Sequence, residues 1–279
     1  MKIEVHYSNK ITLLKGKINS GYIRWSLLGF SNHHRDAKIL KINPESQIRK
    51  QGEEENIFAF IKLPKLSAGD EFNFNASIEY NTMNLKIPLI DFSFLEFQKQ
   101  LIKKYCTYSR YWQVLDPKIE KIVKSLKKKS GDNVKGYLKN TFQFVEDTIE
   151  LRKDMNERLG AIEVIKEGVG DCDEFSDLFI TLLRAANIPA RRVVGLFISE
   201  KGSEHEFHAW TEVFIPHYNT FIPFDVALGF FAEITRLHLV RLKMFKSDQP
   251  RFVYAKYKGT SNVNLDSIEN DLEEIKIIE

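Results

Sequence analysis

Between Glu71 and Tyr80 the chain alternates without a break: Phe72, Phe74, Ala76, Ile78 and Tyr80 against Glu71, Asn73, Asn75, Ser77 and Glu79. A period of two puts one face in a core and the other in water, which is the signature of a half-buried β-strand. Asn81-Thr82 supplies a turn signal, after which Met83, Leu85 and Ile87 resume the alternation. Further short strands are expected over 57–63 and near Ile11 and Ile23. Residues 1–90 therefore read as a β-rich N-terminal domain, most simply a small β-sandwich. No catalytic constellation is visible in it.

From Asp91 the repeat becomes helical. Asp116 reads as an N-cap with Pro117 at the first helical position. Ile119, Ile122, Val123 and Leu126 then share a face, and Gly131 ends the run. Lys118, Lys121, Lys124 and Lys128 fall on the opposite side. The formal net charge is only +3, so that stripe reads as a solvated face and not a nucleic-acid surface. A second helix is expected to use Val134, Tyr137, Leu138, Phe142, Val145 and Ile149. Residues 151–160 read as a loop and 161–167 as a short helix. A nucleic-acid reading of the basic residues Arg236, Arg241, Lys243, Lys246, Arg251, Lys256 and Lys258 rests on charge alone, and no nucleic-acid partner is expected. Leu265, Ile268, Leu272 and Ile275 make 261–279 an amphipathic helix or tail, packed on its own domain.

A hydrophobic content of 43% and a charged content of 28% are those of a globular protein with ample core. The N-terminus lacks a signal-like apolar run, and no run could span a bilayer as a helix, so neither membrane nor secretion is expected. With two cysteines there is no disulfide framework. A working thiol must stay reduced, which favours a cytoplasmic setting.

Chemistry is indicated at Cys172. Gly168 and Gly170 suit a tight entry into a helix. Phe175, Leu178, Phe179, Leu182, Leu183 and Ala186 then form one apolar stripe, ended by Asn187 and Pro189. Cys172 lies in the first turn, where free N–H groups and the positive end of the helix dipole stabilise a thiolate. Its own N–H could help hold an oxyanion. Asp171, Asp173 and Glu174 act the other way, since negative charge opposes thiolate formation. Activation then requires an imidazolium partner.

Residues 207–215 read as a strand, 216–219 as a turn, and 220–225 as the returning strand. If Ile215 pairs with Thr220, Asp225 lies opposite Trp210 and diagonal to His208, within reach of an imidazole–carboxylate bond. Nucleophile, base and orienting carboxylate are then Cys172, His208 and Asp225. His205 and His217 read as exposed, and Cys106 as structural. No Cys-x-x-Cys or His-Glu-x-x-His spacing supports a metal site from Cys172, His205, His208 and Asp225. No cofactor or metal is expected.

Three separated blocks resemble the transglutaminase-like superfamily: 168–176 with 182–191, then 193–195, then 208–213 followed by Asp225. The resemblance covers about residues 95–245. It implies an α+β fold, in which a papain-like core of helices packed on an antiparallel sheet spans 91–260 after the β-sandwich-like domain. It implies that Cys172 is the nucleophile, His208 the acid/base and Asp225 its orienter. The chemistry implied is attack on an amide of a protein or peptide, giving a thioester resolved by water or an amine. The family's members include proteases, amidases, deamidases and cross-linkers; the rival reading is a non-catalytic interaction module on the same fold. Animal cross-linking members use an upstream tryptophan near the oxyanion, but none lies between Trp112 and Cys172 here, leaving Tyr137 or Gln143 as substitutes. There is no calcium loop of EF-hand spacing, so calcium dependence is not assumed.

Overall fold

Two antiparallel five-stranded sheets pack face to face to form the N-terminal sandwich. The computed structural model describes residues 1–278 except 30, 53, 154, 156, 202–203, 248–251 and 267–268, and at 35 and 269–273 only the backbone. Strand Lys2–Lys15 buries Ile3, Val5, Tyr7, Ile11 and Leu13 at every second position. Strand Glu71–Thr82 does the same with Phe74, Ala76, Ile78 and Tyr80, as its alternation requires. Facing them are Ile23, Trp25 and Leu27 of strand Lys17–Leu28 and Ile61 and Leu63 of strand Asn56–Leu63. Thr82 ends the long strand, and Leu85–Lys86 does not turn back as its hairpin partner. It pairs instead with Glu233–Ile234 near the far end of the chain.

The second part is a four-stranded antiparallel sheet in the order Thr220–Phe224, His205–Ile215, Ala190–Ile198, His238–Met244. Five α-helices are found among the described residues: α1 Lys99–Tyr105, α2 Pro117–Ser130, α3 Val134–Thr148, α4 Ala161–Glu167 and α5 Cys172–Ala185. Asp116 caps α2 by accepting from the Lys118 N–H, and Gly131 closes it. Its lysines 118, 121, 124 and 128 are exposed. Helix α5 is buried along nearly its whole length and packs on the sheet. Burial is continuous from His208 to Ile215, so this sheet is covered on both faces. The helices cover one face. Leu196, Ile198, Leu237 and Leu239 on the other join the sandwich core.

Polar groups also cross this seam. The Ser26 hydroxyl donates to the Arg241 carbonyl at 2.9 Å, and the Arg241 guanidinium donates to the Ser26 carbonyl at 2.8 Å. Asn56 exchanges hydrogen bonds with the Lys243 backbone in both directions, each 2.9 Å. Arg191 ion-pairs Glu54 of the sandwich and Glu212 of the sheet.

The structure corrects the expected C-terminal part. Asn264–Leu265 and Glu269–Ile277 are strands paired antiparallel with Lys2–Lys15, not an amphipathic helix. The spacing of Leu265, Leu272 and Ile275 fits a helix, but that strand's free edge offers a row of backbone partners that outweighs the pattern. Leu265 and Ile275 do pack on the sandwich. The Ile268 position and the Leu272 side chain lie outside the described residues. Strand Val253–Gly259, assigned from sequence to the 91–260 part, pairs with Lys17–Leu28 and belongs to the sandwich. The basic stretch is not one surface either, because Arg241 and Lys243 are buried; Arg251 lies outside the described residues. Residues 151–160 carry no element beyond Leu151 of the short strand Glu150–Leu151; 154 and 156 are outside the description. No helix among the described residues is long and apolar enough to cross a membrane.

Candidate active site

Cys172 is the first residue of α5, and the carboxylates around it have separate tasks. Asp171 is the N-cap: its side chain accepts from the Asp173 N–H at 2.8 Å. Glu174 closes the capping box, accepting from the Asp171 N–H at 3.1 Å, and its other oxygen accepts from the Leu159 N–H at 2.9 Å. Loop 151–160 is thereby tied to the helix start. Burial pushes the Glu174 carboxyl up to about 7, with the Asp171 carboxylate adding to it and the main-chain donors opposing. Asp173 is ion-paired with Arg192 from the neighbouring strand.

The two glycines ahead of the cysteine differ in purpose. Gly168 has φ 68°, in the left-handed region, where it closes α4. Gly170 is needed for room: a Cβ there would sit 2.3 Å from the Glu174 Cβ. Gly170→Ala is expected to cost about 1–3 kcal/mol and to unseat the capping box. Thermal melting checks the first effect, and slower labelling of Cys172 the second.

Strand His205–Ile215 carries His208, and Ile215 pairs with Thr220. Asp225 follows the returning strand and is locked by a two-way backbone bridge to Phe230, at 2.9 and 2.8 Å. The His208 Nε2 and Asp225 Oδ2 are 2.7 Å apart, and His208 lines the same cleft as Cys172, close enough for each to shift the other's titration. Trp210 stacks beside the imidazole, 6.0 Å between centroids at 24°. The structure thus brings Cys172, His208 and Asp225 together.

It adds His238, whose Nε2 lies 3.1 Å from the same Asp225 oxygen. Sequence reasoning missed this residue. His238 sits in an apolar strand beyond the hairpin, and only the pairing of His238–Met244 with Ala190–Ile198 reveals its place. His208, Asp225 and His238 present three metal-ligand-type atoms within 4.8 Å of one another, a spacing that their two hydrogen bonds account for.

Burial works against a charged His208, but the Asp225 carboxylate and its bond, with Cys172 adding, outweigh it and raise His208 to about 10. Burial would raise Asp225, yet His208 and His238 bring it down to about 2. The site therefore holds an imidazolium–carboxylate pair at neutral pH. Burial pushes the Cys172 thiol up, as do Asp173 and Asp171; His208 pulls it back without cancelling them. The helix end was expected to make this thiol acidic. In the folded chain the desolvation of a half-buried sulfur is the larger effect.

The thiol opens on a cleft of about 440 Å³. Arg110, Arg158 and Arg192 line it together with Val194, Phe207, Met244 and Phe252. Arg158 is spent on Asp177, at 2.7 Å, and Arg192 on Asp173, whereas exposed Arg110 has no carboxylate partner among the described residues. Neither suggested oxyanion donor reaches this cleft. Tyr137 is buried and donates to the Leu182 carbonyl at 3.0 Å, while exposed Gln143 donates to Asp147 at 2.9 Å. Trp112 is likewise committed, its indole N–H donating to buried Asp177 at 2.7 Å. His205 and His217 are exposed and lie apart from the residues that line the cleft. Burial lifts the Cys106 thiol to about 12, with the nearby Arg184 guanidinium opposing, and Cys106 does not line the cleft.

Residues 120–226 match the model of the transglutaminase-like superfamily. A Cytophaga hutchinsonii crystal structure named "Putative Cysteine Protease" superposes with a TM-score of 0.60, covering 98% of this chain and 90% of that one at 19% identity. That likeness concerns the fold. The periplasmic domain of TgpA from Pseudomonas aeruginosa gives a TM-score of 0.41 at 10% identity, covering 79% of this chain and 87% of that one. The uncharacterized protein YebA of Bacillus subtilis (strain 168) is 26% identical over 182 residues, 56% of this chain but only 24% of that protein. The chain thus spans about a quarter of that relative's length. Helix α5 and the His208 strand both fall inside the segment, residues 120–226, that matches the transglutaminase-like superfamily model.

Proposed function

We propose that this protein is a cysteine-dependent amide hydrolase or acyltransferase acting on proteins or peptides. The supporting observation is a helix-terminal thiol sharing one cleft with an imidazole that is held by a buried carboxylate at 2.7 Å. The thiolate attacks the amide carbonyl carbon, and the carbonyl electrons move to oxygen beside the Cys172 N–H. His208 gives its proton to the departing amine as the C–N bond breaks, leaving a thioester on Cys172. Neutral His208 then takes a proton from water or from an incoming amine, which attacks the thioester and releases an acid or a new amide. Asp225 stays ionised throughout and steadies the imidazolium. A cytoplasmic setting, which keeps the thiol reduced, is part of the proposal.

The pH dependence follows from the two groups. Raising pH removes the thiol proton, so activity climbs from neutral into the alkaline range because the thiol lies above its ordinary value. It falls again as His208 loses its proton at about 10. A turnover profile with its optimum on the alkaline side is expected, and a maximum below neutrality would contradict it.

The reaction type is tested by mass analysis of peptide libraries incubated with the enzyme, with and without a primary amine. Cleaved peptides indicate hydrolysis, and a gain equal to the amine less ammonia indicates transfer. No change in either arm, with Cys172 intact, speaks for the rival binding module.

A further inference from the structure

His238 is bonded on both sides of its ring and at its backbone. Its Nδ1 lies 2.9 Å from the Thr235 hydroxyl, which accepts from the Leu237 N–H at 3.3 Å and so is free to donate. The ionised Asp225 can only accept, so the ring proton sits on Nε2, aimed at Asp225 Oδ2, and Nδ1 accepts from the Thr235 hydroxyl. The His238 carbonyl accepts from His33 Nε2 at 2.7 Å, with His34 Nε2 at 3.3 Å. His33 is fixed in turn by the Ser31 hydroxyl, 2.6 Å from its Nδ1. Both histidines come from the sandwich: His33 is in the turn before strand His34–Asn43, and His34 is its first residue. Phe197, Trp210 and Phe230 enclose the His238 ring at 4.8, 5.3 and 5.7 Å.

We propose that His238 is a positioning residue of the thiol site: a neutral, fixed N–H donor that holds the Asp225 carboxylate on the His208 imidazole, itself anchored by His33 of the N-terminal sandwich. This rests on the functional reading above and gives the sandwich a part in it. Without the His238 bond, Asp225 keeps one further donor besides His208, the Leu228 N–H at 3.2 Å on its other oxygen. A carboxylate held by one weak main-chain bond rotates away from the ring for part of the time, and the imidazolium loses its counter-charge. The ionisable groups facing His208 are Cys172 from α5, Asp225 from the hairpin and His238 from the sheet. Those facing His238 are Asp225, His208 and His33. Burial lowers His238, with Asp225 opposing and His208 adding, so it is a neutral donor from neutral pH upward.

The test is the rate at which iodoacetamide labels Cys172, read from the labelled peptide, between neutral pH and pH of about 9. Wild type, His208→Ala, His238→Leu and His238→Gln are compared, with melting temperatures recorded. His238→Leu is expected to slow labelling about tenfold and to move the rising limb up by about one pH unit, since on that limb the two are the same quantity. His238→Gln, which retains an N–H donor, is expected to stay within about threefold of wild type. If His238→Leu fails to fold, Thr235→Val carries the test, because it frees the ring proton to move to Nδ1; a slowing of about threefold is expected. Wild-type labelling in the Leu and Val variants, or equal slowing in Leu and Gln with an unmoved limb, overturns the positioning role. If His208→Ala also labels like wild type, the thiol–imidazole reading itself falls.

Discussion

Replacing His208 by alanine is expected to lower amide turnover by a factor on the order of 10³, within the range of general acid–base contributions, while the melting temperature changes little. The size of the effect follows from the burden this one ring carries. The helix end alone does not make the thiol acidic, because burial and the carboxylates of Asp173 and Asp171 hold it above its ordinary value. His208 is the group that opposes them, pulling the thiol down through its proximity and its charge. It is also the group positioned to protonate the leaving amine, so its loss removes both functions. Cys172 labelling should slow in parallel in this variant. A His208→Ala protein that is folded and retains more than about a tenth of wild-type turnover contradicts the assigned role.

The second large effect is structural. Arg191→Leu is expected to destabilise the protein by about 3–5 kcal/mol, the cost of stranding buried carboxylates. Arg191 lies 2.7 Å from Glu212 and also pairs Glu54 across the seam, with its guanidinium 3.9 Å from the centre of the Phe221 ring. Burial would raise both carboxyls, but for Glu54 Arg191 leads, and for Glu212 Lys243 and then Arg191, in holding them below their usual range. Their folded values are depressed, so the stability they contribute is present above the unfolded carboxyl range and fades as pH falls through the folded values. In the Arg191→Leu protein that stabilisation is largely absent, leaving Lys104 on Glu54 and Lys243 on Glu212. A thermal melt against pH checks this. The expected drop is on the order of 10 °C at neutral pH, narrowing in acid. A variant that melts with wild type at neutral pH would mean the network carries no net stability.

How much of this was legible in the sequence depends on where the partner of each residue sits. The strand Glu71–Thr82 and helices α2, α3 and α5 could be read because their periodicities are local and match the faces they bury. The hairpin register could be read because a short turn fixes which residues stand opposite one another, here Ile215 and Thr220. The C-terminal strands could not, since their helix-like spacing is overridden by an edge more than 250 residues away, Ile3 pairing with Ile277. His238 was missed for the same reason. Nothing between Leu237 and Leu239 marks a functional histidine until the neighbouring strand brings it to Asp225. The three carboxylates beside Cys172 were visible as an opposing charge, but their separate partners, the helix cap, the Leu159 loop and Arg192, exist only in the fold.

The most direct measurement is capture of the covalent intermediate. Wild type and Cys172→Ser are mixed with a peptide bearing an activated C-terminal amide, quenched in acid and weighed intact. An adduct equal to the acyl group, mapped to Cys172, released by hydroxylamine and absent from Cys172→Ser, is the expected result. Turnover of that peptide with no thioester on Cys172, or equal turnover by Cys172→Ser, would contradict it.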